Sequence, residues 1–272
     1  MNIEETSNPL AASDIPSNPM SRARIILLSI AALVIIAVYY WSFDAVEFSL
    51  LKLKDGLPNM MDFVSDMFPP DWSIYKLVLK ETILTIQLAL IGTTLAAIIA
   101  FPLSFCAARN TAPSWIYHIV RFFFNAVRAI DTLIFALIFV AWVGLGPFPG
   151  MLAMAIHSIG MLGKLFSEAI EGVDPGQVEA LESVGASRIE TIRWAIFPQV
   201  SSYFISYFLY RFEINIRVAV VLGLVGAGGI GYILSQYMGH FQYDRVSVLM
   251  ITILVLVMSI DALSGKIRSK LL

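Results

Sequence analysis

Four arginines, Arg121, Arg128, Arg211 and Arg217, stand inside apolar runs long enough to cross a bilayer. Insertion scales assign about 2.5–3.5 kcal/mol to each arginine at a helix centre. Four of them, central and unpaired, would cost roughly 10–14 kcal/mol, comparable with the whole stability of a domain. They must therefore face protein or water, or snorkel where they lie near an interface. Helical spacing puts Arg121, Asn125, Arg128 and Thr132 on one stripe, with Asp131 beside it, and gives Arg211 and Asn215 a common face. Glu213 and Arg217 are four apart with the acid first, the favourable order for a pair. Two readings stand side by side. In one, Arg128 with Asp131 and Glu213 with Arg217 are structural ion pairs. In the other, Arg128, Arg211 and Asn215, with Glu213 and Arg217 beside them, line a net-positive path for a compact oxyanion, whose oxygens suit bidentate guanidinium bonding. A residue that holds a passing solute slows its release, so a weak site or none is expected.

Other chemistry finds little support. His118, His157 and His240 are too scattered to suggest a metal site, and no Walker A, G-x-S-x-G or H-E-x-x-H pattern occurs. Ser158 beside His157 is the one conceivable seed of an intramembrane hydrolase, but adjacent helical residues point about 100° apart. The single cysteine, Cys106, sits in an apolar run and reads as a small buried hydrophobe. Gly226-Ala-Gly228-Gly229-Ile-Gly231 matches G-x-G-x-x-G, with Asp244 downstream. A dinucleotide site needs a preceding strand and a soluble βαβ unit. Here the glycines follow a membrane helix, so Gly226, Gly228, Gly229 and Gly231 read as a closely packed or flexible gate element. No catalytic residue, metal or bound cofactor is expected of this chain.

The elements that position these residues follow from composition. Of 272 residues 58% are hydrophobic and 14% charged, the formal net charge is −2, and mean hydropathy is +0.79. A soluble fold of this length could not hide so much apolar surface. The near-neutral balance suggests neither nucleic acid nor an acidic partner. Residues 1–21, rich in Ser, Asn and Pro, read as a disordered tail. Arg22 and Arg24 then precede an uncharged first span, 25–43, which no small-x-small cleavage site follows. Residues 44–75, with Pro58, Pro69 and Pro70, suggest a short interfacial helix, completing an N-terminal region of 22–75. Further spans are expected near 82–107, 115–143, 151–170, 200–222 and 246–263, within a core of 76–265 followed by a basic tail, 266–272. Six crossings put both termini on one side. Arg22, Arg24, Arg109, Lys164, Arg188, Arg193, Lys266, Arg268 and Lys270 fall on that side, against Lys52, Lys54, Lys76, Lys80 and Arg245 on the other. That bias orients both termini and residues 171–199 into the cytoplasm. Gly160, Gly163 and Ser167 form a small-residue stripe suited to close packing, including that of a homodimer. Lys164 and Glu168 read as a packing pair.

The polar stretch 174–198 is written as two short helices. Asp174 is a good N-cap with Pro175 at the first helical position, and Gly185 suits a left-handed C-terminal cap. Ser187-Arg-Ile-Glu190 is a capping box, and Pro198 breaks or kinks the chain before the next span. Val178, Leu181 and Val184 give the first helix an apolar face that either packs under the bundle or docks a partner. Glu179-Ala180-Leu181, then Gly185-Ala186, then Pro198, resembles the EAA loop of ATP-binding-cassette importer permeases. Gly144-Leu-Gly-Pro-Phe148, His157-Ser-Ile-Gly-Met-Leu-Gly-Lys164, Tyr210-Arg-Phe-Glu-Ile-Asn-Ile-Arg217 and Val225-Gly-Ala-Gly-Gly-Ile-Gly231 resemble the phosphonate-type branch of that family over about residues 75–265. Arg128-Ala-Ile-Asp131 departs from it, since related permeases often have proline at the last position.

The resemblance implies an all-α polytopic membrane protein of six transmembrane helices, with type I importer permease (MetI-like) architecture, in a bacterial inner membrane. It implies a homodimeric pore for phosphonate, phosphite, hypophosphite or a related anion, and a periplasmic or lipid-anchored binding protein to deliver it. Two cytoplasmic ATPase subunits, which carry the ATP and magnesium, would dock on 174–198 through Glu179, Ala180, Gly185, Ala186 and Pro198. A secondary transporter is the other transport reading, but inverted repeats are not visible.

Overall fold

The computed structural model describes residues 22–271, so the tail expected at 1–21 lies outside the described residues. The chain divides into two compact units, Met1–Met61 and Asp62–Leu272. In the first, α1 (Arg22–Ala45) is apolar on every side, as a bilayer span must be. It is followed by α2 (Leu50–Asp66), an amphipathic helix that contains Pro58 and runs into the second unit.

The second unit is helical throughout its described elements. They are α3 (Tyr75–Cys106), α4 (Ser114–Ala129), α5 (Thr132–Val143), α6 (Pro147–Glu171), α7 (Pro175–Ser183), α8 (Arg188–Thr191), α9 (Phe197–Leu224), α10 (Gly229–Gly239) and α11 (Tyr243–Leu271). Five helical stretches are long and apolar enough to cross a membrane, and α4 with α5 makes a sixth candidate bent by 84°. The fold is thus the expected all-α polytopic membrane architecture.

The straight span expected at 115–143 is corrected by that bend. Ile130 and Asp131 are extended, and the Asp131 carboxylate accepts from the Leu133 N–H at 2.8 Å as the N-cap of α5. A short acidic side chain offers the backbone this alternative to a continuing helix. Thr132 therefore leaves the stripe it would share with Arg121, Asn125 and Arg128. No Arg128–Asp131 ion pair forms among the described residues, since the extended Ile130 and Asp131 interrupt the helix on which the two would share a face.

Helices α3, α6 and α9 form the centre. Phe124 of α4, Leu162, Phe166 and Ile170 of α6, and Val200 and Phe204 of α9 are buried together with Ala96 and Ala100 of α3. A β-carbon at Gly160 would stand 2.9 Å from the Phe124 carbonyl oxygen, and one at Gly163 would overlap the Phe124 ring. Both glycines of the expected stripe thus seal α6 to α4, the close packing the stripe suggested, with its partner in the same chain. Cys106 is half-buried rather than buried.

Three boundaries differ from expectation. The turn at Gly144 and Gly146, both at positive φ, ends early enough for α6 to begin at Pro147. A helix, α10, lies between the glycine segment and the last span, and α11 runs on to Leu271, so the basic stretch 266–271 is helical. Asp71 receives the Ser73 N–H and faces Arg245 at 3.0 Å, joining the starts of α3 and α11. Hydrogen bonding from Ser73, then from Arg245, holds the Asp71 carboxyl below its usual pKa range.

Candidate functional site

At mid-bundle α3, α6 and α9 place five polar side chains together. Arg211 is 3% exposed and Asn215, Ser158 and Thr93 are fully buried. Arg211 Nε donates to Ser158 Oγ at 2.8 Å, and its Nη2 lies 2.7 Å from His157 Nδ1. Asn215 Nδ2 donates to Thr93 Oγ1 at 2.8 Å and to Ser158 Oγ at 3.0 Å. The spacing of Arg211 and Asn215 exposed this face in the sequence, but Thr93 and Ser158 gave no such signal. A hydroxyl inside an apolar run can satisfy itself on its own helix, as Thr93 does at the Ala89 carbonyl. Ser158 bonds to Arg211 and Asn215 and His157 to Arg211, so no base activates Ser158 and the hydrolase alternative loses its seed.

The other membrane arginines have different company. Arg217 bonds Glu213 at 3.2 Å and Asp261 at 2.6 Å, and Arg268 reaches the other oxygen of Glu213 at 3.0 Å. The pair expected from its four-residue spacing is therefore half of a clasp between α9 and α11. Arg121 bonds Glu171 at 2.7 Å and the Ala107 carbonyl at 2.9 Å, tying α4 to the end of α6. Lys164 and Glu168 pair at 3.6 Å. Arg128 is exposed and has no carboxylate within 4.0 Å among the described residues. Among the described residues no group of three metal-ligating side chains occurs.

The glycine segment is closely packed. Gly226, Gly228 and Gly229 have φ of +91°, +74° and +74°. The Gly146 N–H donates to the Gly226 carbonyl at 3.0 Å, joining the α5–α6 and α9–α10 turns. The Ile230 N–H donates to Thr85 Oγ1 at 2.9 Å, and a β-carbon at Gly231 would overlap the Val220 carbonyl. These contacts lock the two turns to α3 and α9.

The stretch 174–198 forms the two helices expected. Asp174 caps α7, Gly185 takes φ +82°, and the Ser187–Glu190 capping box is complete. Pro198 does not break the chain. A π-helical turn, Ile192–Ile196, carries α8 directly into α9, the Phe197 N–H reaching back to the Ile192 carbonyl. A wide turn fits here because Pro198 has no N–H to offer the carbonyl four residues back. Val178 packs on the core, whereas Val184, Ile189 and Trp194 remain 78%, 77% and 64% exposed. Between this segment and the α3–α4 turn lies a cavity of ≈ 260 Å³ lined by Arg109, Glu182 and Arg188.

Residues 92–271 match the family described as binding-protein-dependent transport system inner membrane component. A provisionally named phosphite transport system permease protein, HtxC of Stutzerimonas stutzeri, is 43% identical over 248 residues, covering 91% of this chain and 87% of the relative. The phosphate-import permease protein PhnE of Mycolicibacterium smegmatis is 41% identical over 229 residues, 84% of this chain and 43% of that protein. An inward-facing structure of the MetNI methionine ABC transporter shares the fold, with TM-score 0.66 at 17% identity over 73% of this chain and 98% of its own. The chain belongs to the family of inner membrane components of binding-protein-dependent transport systems.

Proposed function

We propose that the chain is the permease subunit of an ATP-driven importer and passes a phosphorus oxyanion such as phosphite, phosphate or a phosphonate. The observation that carries this reading is the 174–198 segment. It leaves two large apolar side chains, Val184 and Ile189, exposed in a polar stretch where no lipid-facing role suits them, with Trp194 exposed at the entry to α9. Both termini and this segment lie in the cytoplasm, where Glu179, Ala180, Gly185, Ala186 and Pro198 shape the seat of an ATPase subunit. ATP and magnesium belong to that partner. A second copy of the chain completes the pore, and a binding protein delivers solute from the outer side, where Gly226, Gly228, Gly229 and Gly231 form part of the gate. Closure of the ATPase pair draws the docking segments together, and the rigid passage from α8 into α9 carries that movement into the bundle. The result is a two-state switch biased by a ligand this chain does not touch. Arg128, Arg211 and Asn215 line the path, while Glu213 and Arg217 hold its walls through the α9–α11 clasp. Relatives named for phosphite and phosphate transport support the oxyanion class.

The test is reconstitution of the complex that co-purifies with the tagged chain, supplied with binding protein and labelled phosphite, phosphate or methylphosphonate. ATP-dependent uptake of one of them is expected. Gly185→Trp, at a position whose φ is +82°, should leave the bundle inserted yet lower uptake about tenfold and abolish stimulation of the ATPase. Uptake without any ATPase, or uptake indifferent to Gly185→Trp, would overturn the reading.

A further inference from the structure

Among the described residues Arg211 combines burial with the lack of a carboxylate partner, whereas Arg128, which also lacks one, is exposed. Arg121, Arg217, Arg245 and Arg268 each have a carboxylate within 4.0 Å, but Arg211, the most buried of them, has none among the described residues. Its neighbours orient it without neutralising it. Ser158 accepts from Nε, and Asn215 and Thr93 support Ser158 from behind. A buried charge left uncompensated costs several kcal/mol, so this one is kept for a partner outside the chain.

The bond to His157 fixes what that partner meets. A guanidinium nitrogen only donates, so at 2.7 Å His157 Nδ1 must accept. The imidazole is then neutral and carries its proton on Nε2. That nitrogen has no hydrogen-bond partner among the described residues and is not sealed in the interior, and the same holds for Nη1 of Arg211. His157 thus keeps its one N–H free, and Arg211 keeps the N–H groups of Nη1. Arg128 approaches the same stretch of α6, since its backbone nitrogen lies 3.1 Å from where a β-carbon of Gly160 would stand, one turn from His157.

We propose that His157 is a substrate-contacting residue, its Nε2–H a single donor to a tetrahedral phosphorus oxyanion crossing the bundle, with the Arg211 charge on the other side of the ring supplying longer-range attraction. This rests on the permease reading and adds to it a named donor whose tautomer the protein sets. One neutral imidazole donor, backed by a charge at longer range, holds an anion weakly, which suits a conduit that must release it.

Two variants of the full complex separate contact from support. The side-chain amide of Asn reaches only the Nδ1 position, so His157→Asn keeps an acceptor for Arg211 and removes the distal donor. Gln reaches the Nε2 position, so His157→Gln keeps the donor and removes the acceptor. His157→Asn is expected to lower uptake about tenfold or more, the scale of a lost hydrogen bond to a charged group, with the ATPase still bound and still stimulated by loaded binding protein. His157→Gln should stay within about threefold of wild type. The opposite order would show His157 to be only a brace for Arg211, and equal rates in both variants, whether unchanged or lost, would equally overturn the proposal. ATP-dependent uptake by the wild-type complex is measured alongside, so the permease reading stands or falls separately.

Discussion

At the scale of single residues, the arginines divide by the company they keep. Arg121 and Arg217 reach carboxylates on other helices, Glu171 at 2.7 Å and Asp261 at 2.6 Å, and serve the packing of the bundle. Arg211 reaches only a serine and a histidine. A buried charge with no carboxylate partner is itself a cost to stability, and its removal offsets the loss of its bonds to Ser158 and His157. Arg211→Leu should therefore hold the melting temperature of the complex and its co-elution with the ATPase, while oxyanion uptake falls about tenfold or more. A parallel loss of uptake and stability, read by thermal unfolding beside transport, would make Arg211 a structural residue. Spacing alone brought Arg211 and Asn215 to one face. It paired Arg217 with Glu213 but could not show the second carboxylate, Asp261, which lies 44 residues away on another helix.

Elements were legible where apolar length dominates and illegible where one side chain decides. The spans on α3, α6, α9 and α11 follow from continuous apolar runs, and the caps at Asp174 and Ser187 follow from local chemistry that the fold leaves intact. The 84° bend between α4 and α5 does not, since Asp131 in an otherwise helical pattern acts through a single bond to the Leu133 N–H. Nor does the π-turn at Ile192–Ile196, where Pro198 suggested a break and the chain instead changed its helical pitch. Between α9 and α11 the largely buried Glu213 holds both Arg217 and Arg268. Glu213→Gln leaves two arginines short of charge and should lower unfolding free energy by about 2 kcal/mol. That is less than the about 3–5 kcal/mol of a fully buried pair, because both arginines are partly exposed. A wild-type melting temperature in this variant would show that the α9–α11 contact rests on apolar packing alone.

For the whole molecule, the arrangement separates three jobs along the bundle. One end carries the exposed apolar edge of 174–198, the middle carries the uncompensated Arg211, and the far end carries the interlocked glycine turns at 144–146 and 226–229. The family was legible in the sequence because the stretch 174–198 that resembles its EAA loop is local and nearly continuous. The small-residue stripe announced close packing but not its partner, since Gly160 and Gly163 look the same whether they receive a second copy or, as here, Phe124 of the same chain. The account turns on which side of the membrane the docking segment faces. Val184, 78% exposed, can be changed to cysteine in a Cys106→Ala background and treated with a membrane-impermeant maleimide. Labelling of inside-out vesicles alone, blocked when the ATPase is bound, is the predicted result. Labelling of right-side-out cells would place the segment outside and contradict both the topology and the coupling mechanism.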